Sequence, residues 1–339
     1  MEKILTIVIP TYNMQDYLRR CLDSLIVPEE QMKQLEVLVI NDGSKDNSSA
    51  IAHEYQDKYP DTFRVIDKEN GNYGSCVNRG LKEATGKYIK ILDADDWFDN
   101  IMFSKYLMEL CNCDTDMVIT PYEIVDQNLH TINYVFFELE IKKSLSTNVF
   151  SKIHNLQMHS ITYRTALLRS IGYVQSEGIS YTDTEWSVLP LPSAKNITYI
   201  DLCVYKYFLG REGQTVSPDN YLKNNTQISY ILKRLICEVG LSDDEKVNAY
   251  IREKILLTAK MLYRVVLMHG NEHNYADLNS FDNDIKQTVY YNLLDNVKLD
   301  DKLPFYFIRE WRESKKFNYR IKFYKLLYSL LTYWRKIKK

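Results

Sequence analysis

The chain shows no excess of charge of either sign: its 339 residues hold 43 Lys and Arg against 45 Asp and Glu. This balance argues against a polyanion-binding protein, so we expect no nucleic-acid partner, and it argues against a disordered chain. No window approaches the roughly 20 apolar residues that a membrane span requires. The first residues lead straight into a short apolar segment, and they predict no signal peptide.

Cysteine is also sparse, and none of the six has the spacing of a C-x-x-C or zinc motif. The nearest pair, Cys111 and Cys113, is too close together for an ordinary zinc knuckle. A chain of this length buries enough surface to fold without a disulfide or metal staple. We therefore expect reduced thiols in a cytoplasmic protein.

Glycine and proline are unevenly spread. Five of the 11 glycines fall between positions 43 and 86, where tight turns or close approach to a ligand are expected. From about Tyr221 onward both residue types nearly vanish, and apolar residues recur at helical spacing. A length of roughly 150 residues per domain predicts about two domains. We place the boundary near Pro218, with a site-building domain over residues 1–218 and a helical domain over 219–339.

The end of the chain is basic. Residues 301–339 contain twelve Lys and Arg against three Asp and Glu, a net charge of +9. Three roles for the helical domain stay open: recognition of an acceptor, homo-oligomerisation, or seating at a membrane surface. The last segment, Phe317–Lys336, mixes basic and aromatic residues and fits either an interfacial helix on anionic lipid or a helix packed on its own domain. The predicted location is cytoplasmic, with peripheral contact at the inner face of the cell membrane under the lipid hypothesis.

The first part of the chain alternates strands and helices. Strands with few internal charges, separated by helices, indicate an α/β fold with a parallel sheet covered on both faces. Ligands bind such sheets beyond the carboxyl ends of the strands. The predicted strands are Ile4–Ile9, Glu36–Ile40, Phe63–Ile66 and Tyr88–Leu92, and the predicted helices are Tyr17–Leu25, Ser48–Tyr59 and Ser75–Ala84.

Three strand ends carry distinctive side chains. An aromatic residue lies in Pro10–Asn13, an isolated acid in Asn41–Ser44, and an acidic cluster in Asp93–Asp96. On one rim these suit a nucleotide: the aromatic ring stacks on a base, the isolated carboxylate accepts an imide N–H such as uracil offers, and the cluster holds a cation against a diphosphate. Hard oxygen ligands favour Mg²⁺ or Mn²⁺ over zinc.

Each motif also has a structural interpretation. Asp42 and Gly43 are residue types favoured in any turn or helix cap. The acids of Asp93–Asp96 could cap a helix that begins at Trp97. Tyr12 is one of 27 tyrosines. The order and spacing of the motifs together make coincidence a poor explanation.

In combination, four segments resemble the family 2 glycosyltransferases: Thr6–Asn13, Val39–Ser44, Asn78–Gly80 and Asp93–Trp97. The resemblance covers roughly residues 3–215. It implies a GT-A fold, a Rossmann-like α/β architecture. It also implies a nucleotide-diphosphate-sugar donor, a divalent metal, and inversion at the anomeric carbon of the transferred sugar.

The resemblance assigns residues to the donor. Thr11 and Tyr12 match the base-binding pair, and Asp42 matches the acid that reads the base. Arg79 matches a phosphate-binding position, although Asn78-Arg79 presents the family's Arg-Asn pair in inverted order.

The acidic cluster receives its roles in the same way. Asp93 matches the acid that contacts the ribose or a metal-bound water, and with Asp95 it makes up the expected metal site. Asp95 matches the direct metal ligand. Asp96 matches an acid that faces the donor sugar or the acceptor.

An inverting transfer needs a general base on the acceptor hydroxyl, and a carboxylate suits this role. A metal-bound acid cannot easily serve as base as well, so a second acidic site is expected. The family commonly shows Glu-Asp with an aromatic residue three positions after the Asp; here Thr182 replaces the Glu, while Asp183 and Trp186 stay in register. We predict Asp183 as the base, with Glu185 as the second choice. The alternative is that Asp183 caps a helix.

Two further residues are candidates. Arg211 lies in a segment that resembles the family's Tyr-x-Tyr-Arg motif, although Phe208 occupies the position where the Arg often stands. The Arg211 guanidinium is expected to bind the diphosphate, because its forked N–H groups match the arrangement of phosphate oxygens. His159 either lines the acceptor pocket or is an ordinary packed histidine.

The leading hypothesis is therefore a metal-dependent inverting glycosyltransferase. Its donor is expected to be a UDP-hexose, since Tyr12 and Asp42 suit uracil, with GDP and dTDP sugars left open. The acceptor is expected to be a glycan on a polysaccharide, lipid or protein. A sugar-phosphate nucleotidyltransferase is disfavoured because Pro10–Asn13 has neither the glycine-rich loop nor the basic residue that holds a triphosphate. A non-catalytic carbohydrate-binding scaffold on the same fold is the third hypothesis.

Overall fold

The computed structural model describes residues 2–141, 144–145, 147–211, 214, 218–300, 305–314, 326 and 329–330. The chain divides into two compact units. The first comprises Met1–Gln214 with Gly240–Ile251, and the second comprises Thr215–Val239 with Arg252–Lys339.

A single boundary near Pro218 did not anticipate that Gly240–Ile251 belongs to the first unit. Side-chain contacts explain this. The Leu156 backbone N–H donates to the Tyr250 hydroxyl over 2.7 Å, and the rings of Phe150 and Tyr250 lie 5.1 Å apart. Buried aromatic residues of this kind hold a short segment on a core that is distant in sequence.

Twelve strands form two sheets in the described part of the first unit. The larger sheet has the order β3-β2-β1-β4-β10-β6-β11-β9, and the smaller has the order β5-β12-β7-β8. The strands are β1 (Leu5–Thr11), β2 (Leu35–Asn41), β3 (Phe63–Asp67), β4 (Tyr88–Ile91), β5 (Trp97–Phe98), β6 (Met117–Ile119), β7 (Tyr122–Val125), β8 (Thr131–Val135), β9 (Ser144–Leu145), β10 (Ile161–Arg164), β11 (Ile197–Tyr199) and β12 (Tyr205–Phe208).

Helices alternate with the first strands, and shorter ones follow. All seven elements predicted over the first 92 residues are present, with shifts of a few residues at their ends. The α-helices of this part are α1 (Gln15–Asp23), α2 (Glu29–Met32), α3 (Ser48–Lys58), α4 (Asn72–Glu83), α5 (Asn100–Cys111), α6 (Thr165–Ser170) and α7 (Asp183–Val188).

The parallel half of the large sheet places the strand ends side by side. Strands β2 and β4 both pair parallel to β1, and β3 pairs parallel to β2. Every residue of β1 and β2 is buried, as expected for a sheet covered on both faces. The register pairs Thr11 with Asn41 and Asn41 with Asp67, so three strands end at one edge.

The second half of the sheet is mixed and returns the chain to that edge. Strand β10 pairs antiparallel to β4 and to β6. In the smaller sheet, β12 pairs antiparallel to β5 and places Tyr205 opposite Phe98. Because β5 directly follows the acidic cluster, this pairing brings a late segment of the chain against Asp93–Asp96.

The second unit is helical in its described residues. Its core contains a buried guanidinium: Arg312 pairs with Asp282 and Asp295 and lies 3.6 Å from the centre of the Tyr291 ring. The helices are α8 (Pro218–Lys223), α9 (Asn225–Glu238), α10 (Glu245–His269, with residues up to Ile251 in the first unit), α11 (Glu272–Asp284), α12 (Val289–Leu294) and α13 (Phe307–Ser314).

Among the helices of the described residues, none has both the length and the hydropathy to span a bilayer. The predicted interfacial segment, Phe317–Lys336, lies outside the described residues except at positions 326, 329 and 330. Its two interpretations stay open.

Candidate active site at the carboxyl edge of the sheet

An open cleft lies at the ends of β1, β2 and β3. Its volume is about 500 Å³. Thr11 is buried at the end of β1, whereas Tyr12 remains 45% exposed and lines the cleft. An exposed ring beside a polar cleft can stack on a planar base. The lining residues are Tyr12, Gly43, Lys45, Asp67, Lys68, Glu69 and Asn70.

Asp42 lies at the end of β2 and is 3% exposed. Its Oδ1 accepts hydrogen bonds from the Lys68 ammonium over 2.5 Å and from the Gly71 N–H over 3.0 Å. The Asp42 N–H donates to the Thr11 carbonyl, which ties the first two strand ends together. Helix α3 is preceded by Asn47, so Asp42 is not its cap. This carboxylate is held by partners in one orientation.

The acidic cluster packs against aromatic side chains, with Asp95 and Asp96 buried and Asp93 partly buried. The Tyr73 hydroxyl donates to Asp93 Oδ1 over 2.7 Å, and the Asp93 N–H donates to the Tyr205 hydroxyl over 3.2 Å. Burial is the main cause that raises the pKa of Asp93 to about 7, and the carboxylates of Asp95 and Asp183 add to the shift. The ionised form of Asp93 is therefore disfavoured by burial and by the neighbouring carboxylates.

Asp96 is the most buried of the three acids, at 1% exposure. The Tyr205 hydroxyl donates to Oδ2 and the Phe208 N–H donates to Oδ1, both over 2.7 Å. Burial raises the pKa of Asp96 well above its ordinary value, and Asp95 and Asp93 contribute further. The helix that follows the cluster is capped by Asp99, whose side chain accepts from the Met102 N–H, so the acids of Asp93–Asp96 do not cap it.

Asp95 faces two arginines. The Arg211 Nε donates to Asp95 Oδ2 over 2.7 Å, and an Arg20 N–H donates to the Asp95 carbonyl over 3.0 Å. The Arg20 guanidinium lies 3.8 Å from the centre of the Trp97 ring and 4.8 Å from that of Phe208. The predicted metal ligand and the predicted diphosphate clamp are thus in direct contact.

His159 lies beside the cluster among tyrosine rings. It is 7% exposed, and its ring stacks on that of Tyr207 at 4.3 Å between centroids. The Lys90 ammonium donates to the His159 carbonyl over 2.7 Å. Burial, with a contribution from Lys90, lowers the pKa of His159 to about 3, and burial lowers the pKa of Lys90 to about 7. The structure places this histidine under the acids, in a packed position.

The two candidate bases differ in their surroundings. Asp183 is exposed and is the first residue of α7, after Thr182. Its charge contributes to the raised pKa of Asp93, so it lies near the cluster. Glu185 is fully buried, and its two oxygens accept from the N–H and the hydroxyl of Ser176 over 2.7 and 2.6 Å. Glu185 is built into the fold, whereas Asp183 is accessible.

Helix α4 connects the two ends of the site. Its first turn follows Gly71, which bonds Asp42, and contains Tyr73, which bonds Asp93. Gly74 allows the close approach of the neighbouring segment, because a Cβ there would meet the Ser176 carbonyl oxygen at 1.9 Å. Arg79 lies further along α4 and forms an ion pair with Glu83 over 3.0 Å. This ion pair does not join Arg79 to the acidic cluster, and the phosphate-binding role of Arg79 stays a prediction.

Several residues of this edge were missed by sequence reasoning. Lys68 directly follows β3, so the strand-end argument applied to that strand would have pointed to it. Tyr205 stands in the segment that resembles the family's Tyr-x-Tyr-Arg motif, but neither Tyr205 nor Tyr73 was assigned a role. His159 was a candidate for the acceptor pocket, and its contact with Lys90 was not predictable because it depends on the pairing of β10 with β4.

Comparison with known families decides the classification. The model for "Glycosyl transferase family 2" matches residues 6–172. Over these residues the chain is similar to glycosyl transferase family 2. The predicted resemblance is confirmed, and it covers the strands that carry Thr11, Asp42 and Asp93.

The curated relatives are glycosyltransferases in name. An uncharacterised glycosyltransferase of Rickettsia typhi is 33% identical over 184 residues, which are 53% of this chain and 55% of that protein. The uncharacterised glycosyltransferase YibD of Escherichia coli K12 is 27% identical over 267 residues, 75% of this chain and 73% of YibD. The chain therefore spans about half the length of the Rickettsia relative that it matches.

Solved structures share the fold. S. aureus TarS 1–349, in complex with UDP-GlcNAc, has a TM-score of 0.60 at 18% identity and covers 83% of this chain and 81% of its own. The mannosyltransferase PcManGT from Pyrobaculum calidifontis, in complex with GDP-Man and Mn²⁺, has a TM-score of 0.53 at 15% identity, with 86% and 83% covered. The predicted GT-A fold is confirmed.

The residues present fit a divalent cation. One ligand atom each of Asp93, Asp96 and His159 lies within 4.8 Å of the other two, and Asp95 lies between the two acids in sequence. Two carboxylates with excess charge and one imidazole are a donor set that Mn²⁺ accepts.

Proposed function

We propose that this protein transfers a hexose from a nucleotide-diphosphate sugar to a hydroxyl of a glycan acceptor, with inversion at the anomeric carbon. One observation carries the proposal: Gly71, directly before α4, bonds Asp42 beside the polar cleft, and Tyr73, in the first turn of α4, bonds Asp93 in the acidic cluster. The polar cleft and the acidic cluster are thus joined by one short segment. The match of residues 6–172 to the family 2 model supports the same chemistry.

The donor is proposed to be a UDP-hexose. Tyr12 would stack on the uracil, Thr11 would support it, and Asp42 would accept its imide N–H. The TarS complex with UDP-GlcNAc supports this choice, whereas the PcManGT complex with GDP-Man shows that the same fold accepts another base. The identity of the base is therefore left to a direct comparison of donors.

The chain's own residues divide the work of transfer. Asp183 would take the proton of the acceptor hydroxyl while the hydroxyl oxygen forms a bond to the anomeric carbon. The nucleotide diphosphate would leave with the electrons of the bond that breaks. Asp96 would face the sugar or acceptor. Arg211 would shift a hydrogen bond from Asp95 to the diphosphate. Asp95 and Asp93 are the predicted holders of Mn²⁺ or Mg²⁺, which when bound stabilises charge on the leaving diphosphate.

A panel of sugar nucleotides tests the proposal. Ligands that bind the folded state raise its unfolding temperature by mass action. UDP-, GDP- and dTDP-sugars are compared with and without Mn²⁺, and release of nucleotide diphosphate is measured for each donor that stabilises the protein. We expect the sugar nucleotides of one base to stabilise the protein more than the others. We expect release of the nucleotide diphosphate from them to require the metal. Stabilisation without any release, with common donors and with glycan acceptors, would favour a non-catalytic scaffold.

The acceptor is proposed to be a glycan on a polysaccharide, lipid or protein. The roles proposed for the helical unit are recognition of that acceptor, homo-oligomerisation or membrane contact. Liposome flotation of the full chain and of a chain ending at Ser314 separates the membrane role from the others. A lipid-dependent difference between the two supports it, and equal behaviour removes it.

A further inference from the structure

A histidine takes part in the charge site beside the acids. The family resemblance assigns the metal to Asp95 and Asp93, yet the three groups that lie within 4.8 Å of one another are Asp93, Asp96 and His159. An acidic cluster alone does not define a site. The imidazole of His159 is an observation independent of the acids, because neutral imidazole is itself a common metal ligand and occurs together with carboxylates in metal sites.

The ring of His159 is buried without a hydrogen bond on one nitrogen. Among the described residues, Nδ1 has no hydrogen-bond partner, although the side chain is 7% exposed. Buried polar atoms are nearly always satisfied, and an exception calls for an explanation such as an ion. A histidine that only filled space among Tyr122, Tyr205 and Tyr207 would be expected to bond through both ring nitrogens.

The backbone around this histidine is held in place. The Lys90 ammonium donates to the carbonyls of His159 and Ile161 over 2.7 and 3.2 Å. Tyrosine rings pack against the imidazole with centroids at 4.3 to 5.1 Å. An imidazole fixed in this way loses little conformational entropy when it binds a ligand.

The carboxylates retain capacity for a cation. Each carboxylate oxygen has two lone pairs. The hydrogen bond from Tyr73 uses one on Asp93 Oδ1, and those from Tyr205 and Phe208 use one on each oxygen of Asp96. Asp95 differs in the charge of its partner, because its Oδ2 receives the Arg211 Nε over 2.7 Å. This guanidinium competes with a cation for the charge of the Asp95 carboxylate.

We infer that His159 supplies a nitrogen ligand, with Asp93 and Asp96, to the divalent cation of the donor site. The inference rests on the proposed function, which supplies the expectation that a divalent cation binds here. It also makes a claim about which metal binds: a nitrogen ligand favours Mn²⁺ over Mg²⁺, which prefers oxygen ligands.

Electron spin echo spectroscopy of bound Mn²⁺ tests the ligand directly. The full chain, without a histidine tag and without nucleotide, is loaded with Mn²⁺ alone. We expect modulation from a directly bound ¹⁴N in the native protein. The modulation should disappear in His159→Gln and persist in His130→Gln, a matched change at an exposed histidine of the same unit.

Binding titrations supply the second readout. Mn²⁺ affinity in His159→Gln should fall by at least roughly tenfold, because loss of a residue that only supports a ligand already costs about that much. Mg²⁺ affinity should fall less. Unfolding curves of the metal-free variants check that each is folded. A variant that does not fold is replaced by His159→Asn, so that the spectrum is still obtained.

Absence of nitrogen modulation in the native protein, or its persistence in the folded His159 variant, overturns the inference. The donor panel distinguishes this failure from a failure of the proposed function. If the protein binds a sugar nucleotide but bound Mn²⁺ shows no nitrogen modulation, the proposed function stands and the inference that His159 is a ligand fails. If nitrogen modulation is seen but no sugar nucleotide binds, the inference about His159 stands and the proposed function fails.

Discussion

The two ends of the candidate site neutralise their carboxylates in different ways. At the cleft, Asp42 is paired with the Lys68 ammonium and bonded by the Gly71 N–H. In the cluster, Asp93 and Asp96 receive hydrogen bonds from the hydroxyls of Tyr73 and Tyr205, which carry no positive charge. Asp42 thus has a cationic partner, whereas the hydrogen bonds to Asp93 and Asp96 come from neutral groups.

This difference indicates a division of labour. A carboxylate that is paired and oriented beforehand suits selective binding, because little rearrangement is needed when the base arrives. A cluster whose acids have raised pKa values suits a cation and a diphosphate, because their arrival relieves an electrostatic cost. Changes at the cleft should therefore affect binding, and changes beside the cluster should affect turnover.

The largest effect is expected at the base. Asp183→Asn removes proton acceptance while preserving shape, so turnover should fall by about 10²- to 10⁴-fold, the usual contribution of general base catalysis. Donor affinity, measured by calorimetry, should not change. Glu185→Gln is the matched comparison and should chiefly lower stability, because Glu185 holds Ser176. Full turnover in Asp183→Asn would remove this residue from the mechanism.

The second effect tests the cleft. Asp42→Asn should weaken donor binding by roughly 10- to 100-fold, since a hydrogen bond to a charged group contributes about 1.5–3 kcal/mol. It should also lower the free energy of unfolding by about 1–3 kcal/mol, because Lys68 loses its carboxylate partner. Calorimetric titration and denaturant unfolding measure the two losses.

Asp57→Asn, an exposed acid of α3, is the control for this change. If Asp42→Asn lowers turnover at saturating donor and leaves affinity intact, the division between the two ends does not hold.

A smaller effect is expected where the two ends meet. Arg211→Ala should weaken donor binding by about tenfold, because a guanidinium that bonds phosphate contributes a charge-assisted hydrogen bond. Arg211→Lys should recover part of the loss, since it keeps the charge and loses the fork. Equal donor affinity in Arg211→Ala and the native protein would contradict the clamp.

The last prediction concerns the stability contributed at Lys90 and its dependence on pH. Burial lowers the pKa of Lys90 to about 7 in the folded protein, against 10.5 when exposed. Below pH 7 both states hold the proton, and the full cost of burying the charge is present. Above pH 7 the folded state releases the proton while the unfolded state keeps it to about 10.5, so stability rises with pH.

The stability of the native protein relative to Lys90→Met should therefore increase between pH 7 and 9.5, by about 1–3 kcal/mol. Thermal unfolding at several pH values measures the difference, and Lys82→Met, at an exposed lysine, corrects for buffer effects. A difference that stays constant over this range would show that the Lys90 ammonium is not desolvated as the structure implies.

Much of the cleft was predictable from local rules. Buried strands followed by helices indicate a parallel sheet, and parallel strands end at a common edge. Thr11, Asp42 and Asp93 could be placed there because each lies at or just after the end of a strand. Asp95 and Arg211 were assigned separate roles, and their direct contact was not foreseen because 116 positions separate them in the chain.

The sequence by itself determined which elements form in the first 92 residues and which side chains stand at their carboxyl ends, since hydrophobic period and turn residues act locally. Only the tertiary structure decided the partners of those side chains. Antiparallel pairing of β10 with β4 brings His159 beside the acids, and pairing of β12 with β5 brings Tyr205. Such pairings are chosen by the packing of the whole core, and no local pattern encodes them.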